Sequence, residues 1–141
     1  MNKTERAWLA GIIDGEGSIS ISDRRRDGRW FRLDLDIGMT HETTIDYIFH
    51  LTDLGNKGQR DDGDDRHAIC HLWRASGEDA QIILKQVLPF LVTKRQQALI
   101  ALEFPIPPKL TAREVSLGQK VDLAVRKTQE ARYTQMRIAN A

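Results

Sequence analysis

Leu9-Ala10-Gly11-Ile12-Ile13-Asp14-Gly15-Glu16-Gly17 reads as a short apolar helix that runs into two carboxylates separated by glycine. Gly11 and Gly15 lie four apart on one helical face, and with Ala7 they leave almost no side-chain bulk there, so another backbone can approach closely. Glycine inside a helix costs about 1 kcal/mol relative to alanine, so two of them need a reason. Gly15 and Gly17 suit a helix end where the chain turns sharply, holding Asp14 and Glu16 at the rim of the surface the helix supports. Acid groups at such a rim can bind a metal. Read for packing alone, the same stretch is an amphipathic helix with a glycine cap and two solvent-facing acids.

Upstream, Asn2 to Glu5 is an N-cap with an acid three residues later, which starts this helix and carries it to about Asp14. Downstream, Ser18-Ile19-Ser20-Ile21-Ser22 alternates strictly, the period of a strand with one polar and one apolar face. Asp27-Gly28 signals a hairpin turn before a second alternating run, Phe31 to Ile37. Phe31, Leu33, Leu35 and Ile37 face the core. The outer face then carries Ser18, Ser20, Ser22, Arg24, Arg26, Arg32, Asp34 and Asp36. Such a face is either an ordinary solvated surface or one that reads base edges, since Arg pairs with guanine, carboxylates accept from cytosine and Ser is permissive.

Thr40 can cap a helix through about Leu54, with Ile45, Ile48, Phe49 and Thr52 as its stripe and Gly55 ending it. Residues 57–62 and 66–75 form a second hairpin whose inner set is either Ile69, His71 and Trp73 or Cys70 and Leu72. Its acidic loop, 61–65, projects away from phosphate or is offset by Arg60 and Arg66. Ser76 to Asp79 opens another helix, with Ile82, Ile83, Val87 and Leu88 apolar and Pro89 ending it. Thr93-Lys94-Arg95-Gln96 is a capping box for a helix through about Glu103. After the prolines at 105, 107 and 108, Thr111 to Glu114 caps a last, thinly apolar helix to about Ile138, with Val121, Ala124, Val125, Thr128 and Arg132 down one side. The order α-β-β-α-β-β-α makes an α+β fold, a four-stranded antiparallel sheet with helices on one face only. The other, concave and partly basic, fits the major groove.

The 141 residues make one domain, with a core over about 4–104 and a helical extension over about 109–138. Cys70 is the only cysteine, which excludes an intrachain disulfide and favours a reducing, intracellular setting. No signal core and no apolar stretch near the roughly 20 residues of a membrane span is present, so a soluble, untargeted protein without a membrane partner is expected. Net charge is only +1. Residues 41–80 nevertheless carry nine Asp/Glu against four Lys/Arg, and residues 81–141 ten Lys/Arg against four Asp/Glu, a polarity that allows one face for phosphate. Lys94 and Arg95 stand in the first turn of their helix, where the macrodipole disfavours cations, which points to an anion nearby.

Trp8 to Ser18, with both acids and both closing glycines, resembles the motif of the LAGLIDADG homing endonucleases, and Leu88 to Ala98 resembles the segment that brings a basic residue into that family's active site. The resemblance covers about residues 4–104 and implies the αββαββα fold with its DNA-binding sheet. It further implies site-specific cleavage of double-stranded DNA with Mg²⁺, for which Mn²⁺ or Ca²⁺ can substitute in binding, and no small-molecule substrate. By resemblance, Glu16 is the metal-binding acid, with the Gly15 carbonyl beside it. Lys94 polarises the scissile phosphate or helps activate water, and Asp14 has a structural role at the helix end and interface. His41 stands where the family often has an amide that orients solvent; it either does so or only starts a helix. Thr44 and Ile45 stand where the family often has an arginine, a departure in the basic pocket.

Only one motif copy is present, and single-copy members of the family work as homodimers. Ala7, Leu9, Gly11, Ile12, Asp14 and Gly15 are therefore expected at the interface, with Arg60 joining the strand residues on DNA and a long pseudo-palindromic site. Met1, directly before the first helix, is read as the absence of a fused intein; the setting is then cytoplasm or nucleoid, or an organelle if organelle-encoded. A non-cleaving regulator or an RNA-splicing maturase of the same fold, and a protein-interaction domain, are the rival readings.

Overall fold

Helix α1 (Lys3–Glu16) begins where Asn2 and Glu5 satisfy each other's backbone, Glu5 N–H donating to Asn2 Oδ1 at 2.9 Å and Asn2 N–H to Glu5 Oε2 at 2.7 Å. It buries Leu9, Ala10 and Ile13, each large side chain worth about 1.5–3 kcal/mol when removed from water. Gly17 ends it: a Cβ there would lie 2.7 Å from the Ile13 carbonyl oxygen, so no other residue fits. The computed structural model describes residues 1–24, 30–64, 66–107, 111–113 and 123–141.

Strands β1 (Gly17–Asp23) and β2 (Phe31–Met39) pair antiparallel with Ile19 opposite Leu35 and Ile21 opposite Leu33. The turn expected at Asp27-Gly28 lies outside the described residues. Helix α2 (Glu42–Thr52) follows, then β3 (Asn56–Arg60) and β4 (Cys70–Ser76), giving the sheet order β1-β2-β4-β3. The register that alternation left open is settled by burial: Trp73 and Ala75 are inside, opposite Ile37 and Leu35. The strands of this hairpin are shorter than the expected 57–62 and 66–75, because the loop between them is organised by its own side chains. Asp64 pairs with Arg66 and Asp62 with His67, so His67, rather than Arg60, offsets the second of these acids.

Three expected caps are corrected. His41, not Thr40, precedes α2. Gly77, at φ +57°, precedes α3 (Glu78–Val87), because the Ser76 hydroxyl is used elsewhere, donating to Asp34 Oδ1 at 2.6 Å. Lys94, not Thr93, precedes α4 (Arg95–Leu102), and no side-chain cap forms there. A single 3-10 turn, Leu88–Phe90, carries Pro89 between α3 and α4. In α3 the inward residues are Ala80, Ile83, Leu84 and Val87, while Ile82 faces outward.

Helix α5 (Leu123–Ala139) packs on α4 and β1. Its inward face is rotated from the expected one. Gln129 and Met136 are buried, Val125 and Arg132 are half-buried, and Ala124 and Thr128 are exposed; Val121 and most of the segment begun by Thr111 lie outside the described residues. Polar bonds compensate for the thin stripe: Gln129 Nε2 donates to the Pro105 carbonyl at 2.9 Å, Arg132 pairs with Glu103, and Asn140 Nδ2 donates to the Ile19 carbonyl of edge strand β1 at 3.0 Å. Covering an edge strand in this way removes a template for unwanted pairing. Among the described residues no helix is long and apolar enough to cross a membrane.

Trp73 anchors the core, fully buried, with its indole N–H donating to the Leu54 carbonyl at 3.0 Å. Gly55 passes against it at φ +83°, where a Cβ would come within 2.5 Å of the Arg74 carbonyl oxygen. Gly55→Ala is therefore expected to destabilise the fold by about 2–3 kcal/mol, from left-handed strain and backbone collision together. A lowered urea midpoint with an unchanged m-value is the result to look for.

Candidate active site and nucleic-acid interface

The register places Gly17 opposite Ile37, so the end of α1 and the start of α2 lie at one end of the sheet. Glu16 is the last residue of α1, exposed and without a hydrogen bond or ion pair among the described residues. An acid at a helix C-terminus is opposed by the macrodipole by about 0.3–1 kcal/mol. The α1 end has no basic side chain of its own in its last turn. Its compensation comes from residues 92–94.

Asp14 makes that connection. Its carboxylate accepts from the backbone N–H of Val92 at 2.8 Å and of Lys94 at 2.9 Å, while Lys94 Nζ donates to the Asp14 carbonyl oxygen at 2.6 Å. Burial works against ionisation of Asp14, but the N–H groups of Val92, Lys94 and Thr93 and the Lys94 ammonium outweigh it, holding the carboxyl below its ordinary 3.8. Lys94 is thus fixed beside the helix that carries Glu16, across 80 residues of sequence. One of its three ammonium donors is used and two remain. Arg95 is turned away, its guanidinium donating to the Leu88 carbonyl at 2.8 Å.

His41 is exposed at the start of α2, with Nδ1 2.7 Å from Thr44 Oγ1. Its Nε2 is left available. Among the described residues no group of three or more His, Cys, Asp or Glu side chains converges on one point, and the carboxylate that α1 leaves unpaired at its end is that of Glu16. That carboxylate suits a hard divalent cation, and it sits where the last carbonyls of α1 add partial negative charge. Gly15 leaves its backbone approachable, with nothing within 4 Å of a notional Cβ.

The polar face of the sheet is built in rungs. Ser18, Asp36, Arg74 and Asn56 form one across all four strands, and Ser20, Asp34 and Ser76 the next; Ser22 and Arg32 follow, and Arg60 stands at the end of edge strand β3. Arg24 extends the row, its backbone N–H donating to the Trp30 carbonyl at 2.8 Å; Arg26 lies outside the described residues. Asp34 is only 4% exposed, sealed by Arg32 Nε at 2.9 Å and the Ser76 hydroxyl. It organises the face from beneath rather than presenting itself to a ligand. Arg74 pairs with Asp36. Arg74, Asn56 and Ser76 are missing from the set expected on this face because the second hairpin's register was open; the buried Trp73 is the signal that assigns them.

On α1, Ala7, Gly11 and Gly15 are exposed and Ile12 is half-buried. Leu9 is corrected: at 0% exposure it belongs to the chain's own core. Asp14 is likewise committed to Val92 and Lys94 rather than to the glycine face. Nothing lies within 4 Å of a Cβ at Gly11 or Gly15, so this chain alone demands neither glycine. Beside them Trp8, 37% exposed, stacks edge-on against Tyr47, 48% exposed, with ring centroids 5.0 Å apart.

No protein-family model matches the chain. It is 27% identical over 103 residues to the DNA endonuclease I-CvuI of Chlorella vulgaris, covering 69% of this chain and 61% of that one. The chain thus spans about six-tenths of the length of the curated relative it matches. Among solved structures, I-CvuI in complex with a DNA target superposes with a TM-score of 0.75 at 22% identity, covering 97% of this chain and 82% of that one. The archaeal intron-encoded homing endonuclease I-Vdi141I, complexed with DNA, gives 0.69 at 16% identity, covering 96% and 84%. The LAGLIDADG meganuclease I-AabMI, bound to uncleaved DNA, gives 0.63 at 16% identity and accommodates 94% of this chain in 44% of its own. The chain has the fold of the LAGLIDADG homing endonucleases.

Asp14→Asn tests the connection between the motif and Lys94. Hydrogen bonds to an ionised group contribute about 1.5–3 kcal/mol each, so a loss of that order is expected near neutral pH. Because folding lowers the Asp14 pKa, its contribution is full above the unfolded value of 3.8 and disappears as pH falls through the folded value. The stability gap between wild type and Asp14→Asn should be flat above about pH 5 and shrink below about pH 4; a gap independent of pH would contradict the assignment.

Proposed function

We propose that two copies of this chain form a site-specific, divalent-metal-dependent DNA endonuclease that hydrolyses one phosphodiester in each strand. The observation that carries this reading is the hydrogen bond of the Lys94 ammonium to the Asp14 carbonyl, two residues before the exposed, unpaired Glu16, at one end of an open, polar sheet face. The fold supports it, and so do the activity of the Chlorella relative and the DNA targets on which the similar structures were crystallised, with magnesium or calcium present in two of them.

Glu16 and the Gly15 carbonyl would hold the metal, and the two free ammonium donors of Lys94 would face the scissile phosphate. A divalent cation bound there supplies charge neutralisation at the phosphate and acidifies its water. His41, with Nδ1 engaged by Thr44, has Nε2 for ordering a solvent molecule. The sheet rungs enter the major groove, a two-stranded ribbon being the width that the groove admits. One chain supplies one such acid, and a duplex has two strands to cut. That is why the reading requires a two-fold dimer joined along the Ala7, Gly11 and Gly15 face, with Trp8 and Tyr47 flanking it. I-AabMI, of which this chain fills less than half, has the length for two such folds.

The test is a plasmid library carrying the sequence that flanks the gene. Mg²⁺-dependent cleavage at one site is expected for the wild type, with a loss of at least about 100-fold in Glu16→Gln and in Lys94→Met. Cleavage that survives Glu16→Gln would sink the enzymatic reading. Thr44 and Ile45, at the place of the family's frequent arginine, favour the second reading, a non-cleaving regulator or maturase. Specific duplex binding with Ca²⁺ but no cutting with Mg²⁺ would select it.

The interface makes its own prediction. Gly11→Ala should stabilise the isolated chain by about 1 kcal/mol, because alanine is the better helix former and has open space. The same methyl group would hold the partner helix away. Sedimentation equilibrium should show dimerisation weakened about tenfold or more while the melting temperature of the monomer rises.

A further inference from the structure

The rung Ser18–Asp36–Arg74–Asn56 crosses the whole sheet. Arg74 is its cation, with its side chain 51% exposed, and Asp36, 26% exposed, accepts from its Nε. Two residues along β2 the same device recurs in Arg32 and Asp34, again joined through the arginine Nε, at 2.9 Å. A guanidinium has five N–H donors. Fixing Nε to a carboxylate leaves the outer Nη1 and Nη2 edge free and restricts the side chain before any ligand arrives. That edge matches O6 and N7 of guanine in the major groove. The Asp36 carboxylate raises the Arg74 pKa above its already high value, so the fork is permanently charged.

We infer that Arg74 is a guanine-reading residue of the target duplex and that Asp36 positions it, rather than reading cytosine itself. The inference rests on the proposed DNA-binding function of this face and adds a specificity determinant from β4 to it. A phosphate contact would need only a mobile cation. A carboxylate clamp at Nε would weaken such a contact by offsetting its charge, while it improves a directional, two-donor contact to a base edge.

The experiment selects preferred duplexes from a randomised library with the full-length protein in Ca²⁺, comparing wild type, Arg74→Ala, Arg74→Lys, Asp36→Ala and the double variant Asp36→Ala/Arg74→Ala. Thermal melts of each protein verify folding. One position in each half-site is expected to lose its guanine preference by roughly 5- to 150-fold in Arg74→Ala. Arg74→Lys should lose it as well, while keeping the wild-type salt dependence, because lysine retains the charge without the fork. Asp36→Ala should weaken the same guanine preference and have no further effect once Arg74 is alanine. Two outcomes overturn the inference: selective wild-type binding with base preferences unchanged in folded Arg74→Ala, or loss of a cytosine preference in Asp36→Ala that persists in the Arg74→Ala background. Absence of any sequence-selective duplex binding by the wild type would overturn the proposed function and this inference with it.

Discussion

The carboxylate of Asp14 takes the place of water for the backbone N–H groups of a turn 78 residues away. Much else depends on that substitution. α1 ends on two acids where its dipole is negative, and α4 begins on two cations where its dipole is positive. Each helix end is unfavourable alone. Brought together, the Asp14 carbonyl near the end of α1 receives the Lys94 ammonium, and the N–H groups of Val92 and Lys94 ahead of α4 donate to the Asp14 carboxylate. Each helix end carries the side-chain charge that the other one needs. The anion implied by Lys94 is therefore partly internal, and Glu16 is the acid that this exchange leaves unpaired.

The sheet follows a related economy of charge. A net charge of +1 argues against a protein that grips phosphate with an unbalanced basic surface. On the open face, however, the acids are spent on the arginines: Asp34 lies beneath Arg32, and Asp36 beside Arg74. Such pairs contribute little bulk positive potential but a good deal of direction. A face of this kind is better suited to discriminate through geometry than to attract through charge.

The fold was largely legible because its strands alternate cleanly and its glycines are informative. Ser18 to Ser22 and Phe31 to Ile37 have one apolar face each, and burial follows it except at the sealed Asp34 and the half-buried Phe31. The capping box at Asn2 formed as expected because neither partner, exposed Asn2 or half-buried Glu5, has a competing contact among the described residues. Ser76 shows why other caps failed: its hydroxyl is worth more to the sealed Asp34 than to the solvated start of α3. The second hairpin was ambiguous because Ile69, Cys70, Leu72 and Trp73 offer apolar groups in both parities. Only tertiary packing, with the Trp73 indole on the Leu54 carbonyl, breaks the tie. In the site, Glu16 and Lys94 could be singled out from local sequence. That Asp14 joins them could not, since no local pattern encodes a bond across 80 residues, and Arg74 waited on the register.

The bond between Asp14 and Lys94 also sets an order of events. A loop of about 80 residues must close before it forms, and such closure carries an entropic cost that only a nearly complete domain repays. On a ribosome, the ammonium of residue 94 emerges well after the end of α1 and reaches the Asp14 carbonyl only once the intervening strands and α3 bring the two together. A partly made or partly unfolded chain holds Glu16 without Lys94. Bringing these two residues to one end of the fold thus depends on the completeness of the tertiary structure between them.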